Sequence, residues 1–218
     1  MRTLLVLVLC GCDTTSVVET IRIGGDLTQL SVDVEAGDIE VVVADVDVIT
    51  ITRTLTGPAG SVVADQAVSN GVARIGGACR AFAPCRVDVS VVVPADLLID
   101  LHTGEGDVDL HDVADANVEI GRGELHADGV VDRLHARIGW GDATLSTSSV
   151  PFDVALALAG GDARVHVPSG TYDMDVVAFG GDAIVGVVDG VGPRLHVRTQ
   201  AGSASVIGRS LAGGTEAG

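Results

Sequence analysis

Five acidic residues recur in one local setting, each directly after a glycine: Asp107, Glu124, Asp142, Asp162 and Asp182, at intervals of 17, 18, 20 and 20 residues. If equivalent corners stack, their carboxylates form a column about 4.8 Å apart, the spacing of neighbouring strands. Unit like charges at that distance repel by roughly 1 kcal/mol in water, and by more where water is excluded. Two chemistries relieve the repulsion. The column can act as a row of Ca²⁺ sites, since hard cations take carboxylate and carbonyl oxygens. Alternatively, each Asp accepts hydrogen bonds from backbone N–H groups of its own turn. The turn role is the expectation, because the pattern is not the nonapeptide repeat of calcium-binding β-rolls. The five acids remain the candidate cation ligands.

Little else in the chain carries chemistry. His102, His111, His126, His135, His166 and His196 form no His-x-x-x-His pair and no Cys/His cluster with ligand spacing, so they read as solvated outer-face residues and no metal centre is expected. There is no Gly-x-Ser-x-Gly elbow and no cysteine left over as a nucleophile. Asp153, Asp173 and Asp175 should point outward on adjacent coils, where they could mimic the paired acids of a glycosidase. Sugar enzymes of that shape line a groove with aromatic platforms, and Trp140, Phe152, Tyr172 and Phe179 are few and sit near corners or in inward columns. No exposed groove, no catalytic residue and no cofactor are therefore expected. Trp140, between two corner glycines, is the one candidate binding anchor. All thirteen basic residues are Arg, and without Lys a Schiff base and a P-loop phosphate cradle are excluded. A net charge of −17 argues against nucleic acid as a partner.

The elements that must position these corners are strands. Small or branched apolar residues alternate after the corners (Val108 and Leu110, Ala143 and Leu145, Ala163 and Val165, Ala183 and Val185, Ala204 and Val206) and before them (Leu97-Ile99-Leu101, Leu134-Ala136-Ile138, Val154-Leu156-Leu158). Period two gives each strand one buried face. Glycine belongs at the bend, where a β-carbon would clash, and the corner set is Gly37, Gly106, Gly123, Gly141, Gly161, Gly181 and Gly202. One such unit cannot bury its apolar face alone, but stacked units can. The prediction is an all-β, single-domain parallel β-solenoid with two main strands per coil and an irregular N-terminal β cap.

The ends are different. Met1-Arg2-Thr3 followed by the apolar run Leu4 to Leu9 reads as a secretory signal too short to span a bilayer. Leu9-Cys10-Gly11-Cys12 resembles the bacterial lipobox, which implies that Cys12 becomes the acylated first residue and anchors the chain to a membrane. The expected organisation is a signal peptide over 1–11, anchor and tether over 12–28, a solenoid over 29–207 (irregular over 29–94, regular over 95–207), and a loose tail over 208–218. Val17 to Ile23 has the alternative of forming a first strand. In an exported chain Cys79 and Cys85 are expected to form a disulfide, since a metal site would lack third and fourth ligands nearby.

The Gly-Asp corners, together with Cys79…Cys85-Arg86-Val87-Asp88-Val89 leading into Val93-Pro94, resemble the bacterial "putative adhesin" β-solenoid domains over roughly Leu30 to Ile207. That family is extracytoplasmic and of unknown biochemical function, so the resemblance implies an envelope location and carries over no functional residue. The reading is a non-enzymatic, lipid-anchored scaffold or interaction module in the cell envelope, with a protein or polysaccharide partner and self-association at an open end near Val206. The alternative is a cation- or polysaccharide-binding envelope sensor that uses the acidic corners.

Overall fold

Alternating valines, leucines and isoleucines favour a pleated, half-buried chain, and every regular element among the described residues of the computed structural model is a strand. It describes residues 9–11, 14–80, 84–130 and 132–209. Cys12, the segment before Leu9 and the tail from 210 onward lie outside the described residues. In chain order the strands are β1 (Leu9–Gly11), β2 (Thr14–Ile23), β3 (Gln29–Ala36), β4 (Ile39–Val43), β5 (Ile49–Gly57), β6 (Val62–Ser69) and β7 (Val72–Cys79). They continue with β8 (Arg86–Val93), β9 (Leu98–Glu105), β10 (Val108–His111), β11 (Asp115–Arg122), β12 (Leu125–Val130), β13 (Arg133–Trp140) and β14 (Ala143–Thr147). The last six are β15 (Asp153–Gly160), β16 (Ala163–Pro168), β17 (Thr171–Ala178), β18 (Ala183–Gly186), β19 (Val188–Thr199) and β20 (Ala204–Arg209).

These form two sheets, one of eleven strands in the order β1-β2-β5-β8-β4-β10-β12-β14-β16-β20-β18, the other of nine in the order β17-β19-β15-β13-β11-β9-β3-β7-β6. Both are mixed. Pairing is parallel from β8 to β18 and from β17 to β7, and antiparallel among β1, β2, β5 and β8 and between β6 and β7. The antiparallel strands occupy the N-terminal ends of both sheets, where unpaired edges would otherwise be left. The segment 12–28, expected to be a tether, contains β2, paired with β5 from Thr15↔Gly57 to Ile23↔Ile49. The alternative of a strand in Val17 to Ile23 is the one the chain adopts.

The core lies between the sheets as columns in register. Leu30, Ile99, Ala116, Leu134, Val154 and Leu195 align on one side. Val41, Leu110, Ala127, Leu145, Val165 and Val206 align on the other. All of these are buried, and each leucine, isoleucine or valine so placed contributes roughly 1.5–3 kcal/mol relative to exposure.

Stack order departs from chain order at both ends. The β3–β4 unit sits between β7–β8 and β9–β10, and the β19–β20 unit between β15–β16 and β17–β18. Val206 is therefore fully buried, and the open end lies at β17 and β18. Ala183 and Val185, expected to point into the core, are exposed because no further strand among the described residues covers them. Around them Phe179, Ile184 and Val188 are also exposed, and Val191 completely so. The register along β17 explains Val191: Tyr172 pairs with Asp189 and Asp173 with Arg194, so Gly190 to Pro193 bulge out of the ladder.

Candidate binding face

At the corners, backbone meets backbone. The β-carbon of an alanine at Gly106 would lie 2.0 Å from the Gly37 carbonyl oxygen, and one at Gly161 2.0 Å from that of Gly141. Gly37, Gly106, Gly123, Gly141, Gly161 and Gly202 all have positive φ, between 125° and 150°. Gly181 does not share this conformation; it belongs to the terminal β17–β18 unit. The corner that looks degraded, Gln200-Ala201-Gly202-Ser203, is inside the stack, whereas the regular-looking Phe179-Gly180-Gly181-Asp182 closes it.

The corner acids make a second column beside the glycines. Asp88 Oδ1 accepts the Asp38 N–H (3.0 Å), Asp38 Oδ1 that of Asp107 (2.8 Å) and Asp107 Oδ1 that of Glu124 (2.8 Å). Asp142 Oδ1 accepts the Asp162 N–H (2.8 Å), and Asp162 Oδ1 that of Ser203 (2.7 Å). Asp182 donates its N–H to Ser203 Oγ at 3.4 Å. In each of the five carboxylate bonds the donor belongs to the next corner of the stack, not to the acid's own turn. These charge-assisted bonds tie successive units together. Arg86 closes one end of the column, paired with Asp38 and Asp88. Desolvation lowers the pKa of its guanidinium, but the hydrogen bonds to the two carboxylates outweigh that and hold it above the usual value. Arg164 approaches Asp162 at 3.9 Å. Among the described residues no three His, Cys, Asp or Glu side chains gather as a metal site.

Asp153, Asp173 and Asp175 do face outward, but not on adjacent strands. β19 inserts between β15 and β17, so that Arg194 lies in register between Asp153 and Asp173. Asp153 is 3.3 Å from His135 Nε2, and Asp175 is paired with Arg198. Cys79 and Cys85 form the expected disulfide, with Cα atoms 5.6 Å apart. Trp140 is 62% exposed and its ring lies over Gly160, which has no side chain to displace it. Tyr172 is buried, its hydroxyl donating to the Pro168 carbonyl at 2.7 Å, and burial pushes its pKa up.

An exposed groove, which the sequence reading did not expect, runs over β15 on the outer side of the nine-stranded sheet. Outward positions of β15 after Asp153 are Ala155, Ala157 and Ala159, while those of its neighbours are Arg133, His135 and Arg137 on β13 and Arg194, His196 and Arg198 on β19. Register puts them in rows: Arg133–Asp153–Arg194, His135–Ala155–His196 and Arg137–Ala157–Arg198. Small residues between long ones leave a trench of about 680 Å³, which continues across β13 and β11 to β9 and is lined there by Asp100, His102, Asn117 and Glu119. A second hollow of about 490 Å³ shares Arg137, Ala157 and Arg198 and reaches Phe179. The sequence carries a signal for it. Arg133-Leu134-His135-Ala136-Arg137 and Arg194-Leu195-His196-Val197-Arg198 are copies of one Arg-Leu-His-x-Arg motif, invisible when each histidine is weighed singly.

No protein-family model matches the sequence, and no curated protein matches it. Among solved structures, a putative cell adhesion protein from Clostridium sporogenes aligns with TM-score 0.55 at 10% identity, over 88% of this chain and 99% of that one. A putative adhesin from Bacteroides fragilis aligns with TM-score 0.39 at 12% identity, over 87% and 97%. The chain thus shares its two-sheet, all-β fold with the Clostridium sporogenes protein.

Proposed function

We propose that this chain is a lipid-anchored, non-enzymatic parallel β-solenoid with two main strands per coil, displayed outside the bacterial cytoplasm as an adhesin-like interaction module. The observation that carries it is the nine-stranded sheet. Eight of its strands run parallel in near-continuous register, β17 to β7, and fix outward side chains in rows on a rigid platform. Such a surface suits recognition of an extended partner, in keeping with the adhesion role named for the Clostridium sporogenes protein. The lipobox at Cys12 supports the anchor, and acyl chains hold a protein by about 0.8 kcal/mol per buried CH₂.

Two measurements test this. Mass spectrometry of the mature protein from a bacterium that processes lipoproteins should find an acylated Cys12; an unmodified N-terminus would remove the anchor. The full chain, displayed on a non-adherent bacterium, should increase attachment to immobilised envelope polysaccharide or cells. Unchanged attachment, or release of hydrolysis or lyase products from the polysaccharide, would overturn the module.

A further inference from the structure

β13 and β19, on either side of β15, present four of the chain's thirteen Arg residues and two of its six His residues outward, although the protein carries a net charge of −17. Of these, Arg137, Arg198, His135 and His196 line the trench, which also takes in Asp100 and Glu119. Walls two strand spacings apart are about 9.6 Å from each other, and alternate residues along a wall are about 6.7 Å apart. Part of this charge is matched internally. Arg133 pairs with Asp115 at 3.2 Å and lies over the Phe152 ring, His135 pairs with Asp153, and Arg198 with Asp175. Arg137 and Arg194 make no ion pair within 4.0 Å among the described residues, although Glu119 is one strand from Arg137 and Asp153 and Asp173 flank Arg194.

We propose that this trench binds an extended carboxylated glycan, with carboxylates held between Arg137 and Arg198 and sugar faces resting on Ala155 and Ala157. The proposal rests on the interaction-module reading and names the partner of that face. Three features favour this chemistry. Guanidinium groups fit carboxylates in a planar, two-pronged geometry. The alanine floor presents methyl groups to the C–H face of a sugar ring, where a longer side chain would block the approach. The trench reaches across five strands, from β9 to β19, and shares Glu119, Arg137, Ala157 and Arg198 with the hollow that includes Phe179, so a polymer can lie across the sheet. A denser polyanion is disfavoured, because duplex DNA carries a charge every 1.7 Å or so along its axis and meets the acidic remainder of the surface.

Polygalacturonate is the probe, with neutral dextran and duplex DNA as comparisons, in calorimetry at about 20 mM and 200 mM salt. Trp140, the single tryptophan and a neighbour of the trench on β13, reports occupancy by fluorescence. The expected result is binding of polygalacturonate but not dextran, weakened by salt and at least tenfold tighter than any binding of DNA. Arg137→Ala and Arg198→Ala should each weaken it about tenfold, Ala157→Glu should abolish it, and Arg164→Ala on the other sheet should leave it unchanged. If Ala157→Glu fails to fold, the exposed Arg137→Ala decides. Absence of binding at low salt, equal binding of DNA, or indifference to Arg137→Ala would overturn the assignment. Surface attachment that persists in Arg137→Ala would sink the trench while leaving the module reading intact.

Discussion

The carbonyl oxygen of Gly106 lies 1.9 Å from the point a β-carbon on Gly123 would occupy. Real β-carbons do not approach an oxygen below about 3 Å, and here the obstacle is backbone shared by two stacked units. Gly123→Ala should therefore cost about 3 kcal/mol or more, combining left-handed strain with a displaced strand. Gly60 also has positive φ (75°) but faces open space, so Gly60→Ala should cost only about 1 kcal/mol. Urea midpoints of the two variants check this; equal losses would show that the glycine column is not close-packed.

Arg53 is 3% exposed and ties the N-terminal ends of the two sheets together. Its Nη2 meets Glu19 of β2 at 2.7 Å, and its Nη1 donates to the Asp65 carbonyl of β6 at 2.7 Å. Arg53→Ala strands both partners and should destabilise by about 3 kcal/mol, whereas the double variant Arg53→Met with Glu19→Leu should recover most of that. Thermal melts of the three proteins decide; a double variant no better than the single would deny the pair its role.

The acidic column makes a milder prediction. Asp107→Ala leaves the Glu124 N–H without its acceptor at an exposed corner, for about 1 kcal/mol. Asp107→Asn keeps an acceptor oxygen and removes a like charge, so it should stay within about 0.5 kcal/mol of the parent, a difference that shrinks in high salt. Calcium separates this role from a cation row. A melting temperature that rises with Ca²⁺, and no longer does so in Asp107→Asn, would favour the cations.

His166 Nδ1 is buried without a hydrogen-bond partner. Burial, then the charges of Arg209 and Arg164, push its pKa below the ordinary 6.5. With the folded value below the unfolded one, protonation favours unfolding. Its contribution is complete above about pH 6.5 and is lost as pH falls through the folded value. His166→Gln should lose less melting temperature than the parent between pH 7.5 and pH 5. Parallel curves would contradict the shift.

Much of the strand pattern could be read in advance. The alternation at Leu97-Ile99-Leu101 and Ala143-Leu145 marks buried faces correctly, and Cys79 and Cys85 are bridged. Stack order could not be read, for a definite reason. Ala163-x-Val165, Ala183-x-Val185 and Ala204-x-Val206 carry the same alternating apolar pair, so nothing local says which unit lies against which. The trench was missed because its meaning depends on register. Arg137 and Arg198 are 61 positions apart in the chain, and only pairing of both with Ala157 makes them face each other.

The inserted position of β19–β20 has a consequence for biogenesis. During synthesis, residues 171–186 emerge before the segment they finally rest upon, so they cannot settle until the last strands have been delivered and threaded beside β15–β16. A premature stop near Val188 would leave them with only a makeshift seat. Residues 188–209 are in effect the keystone, arriving after β17 and β18 and locking them in place.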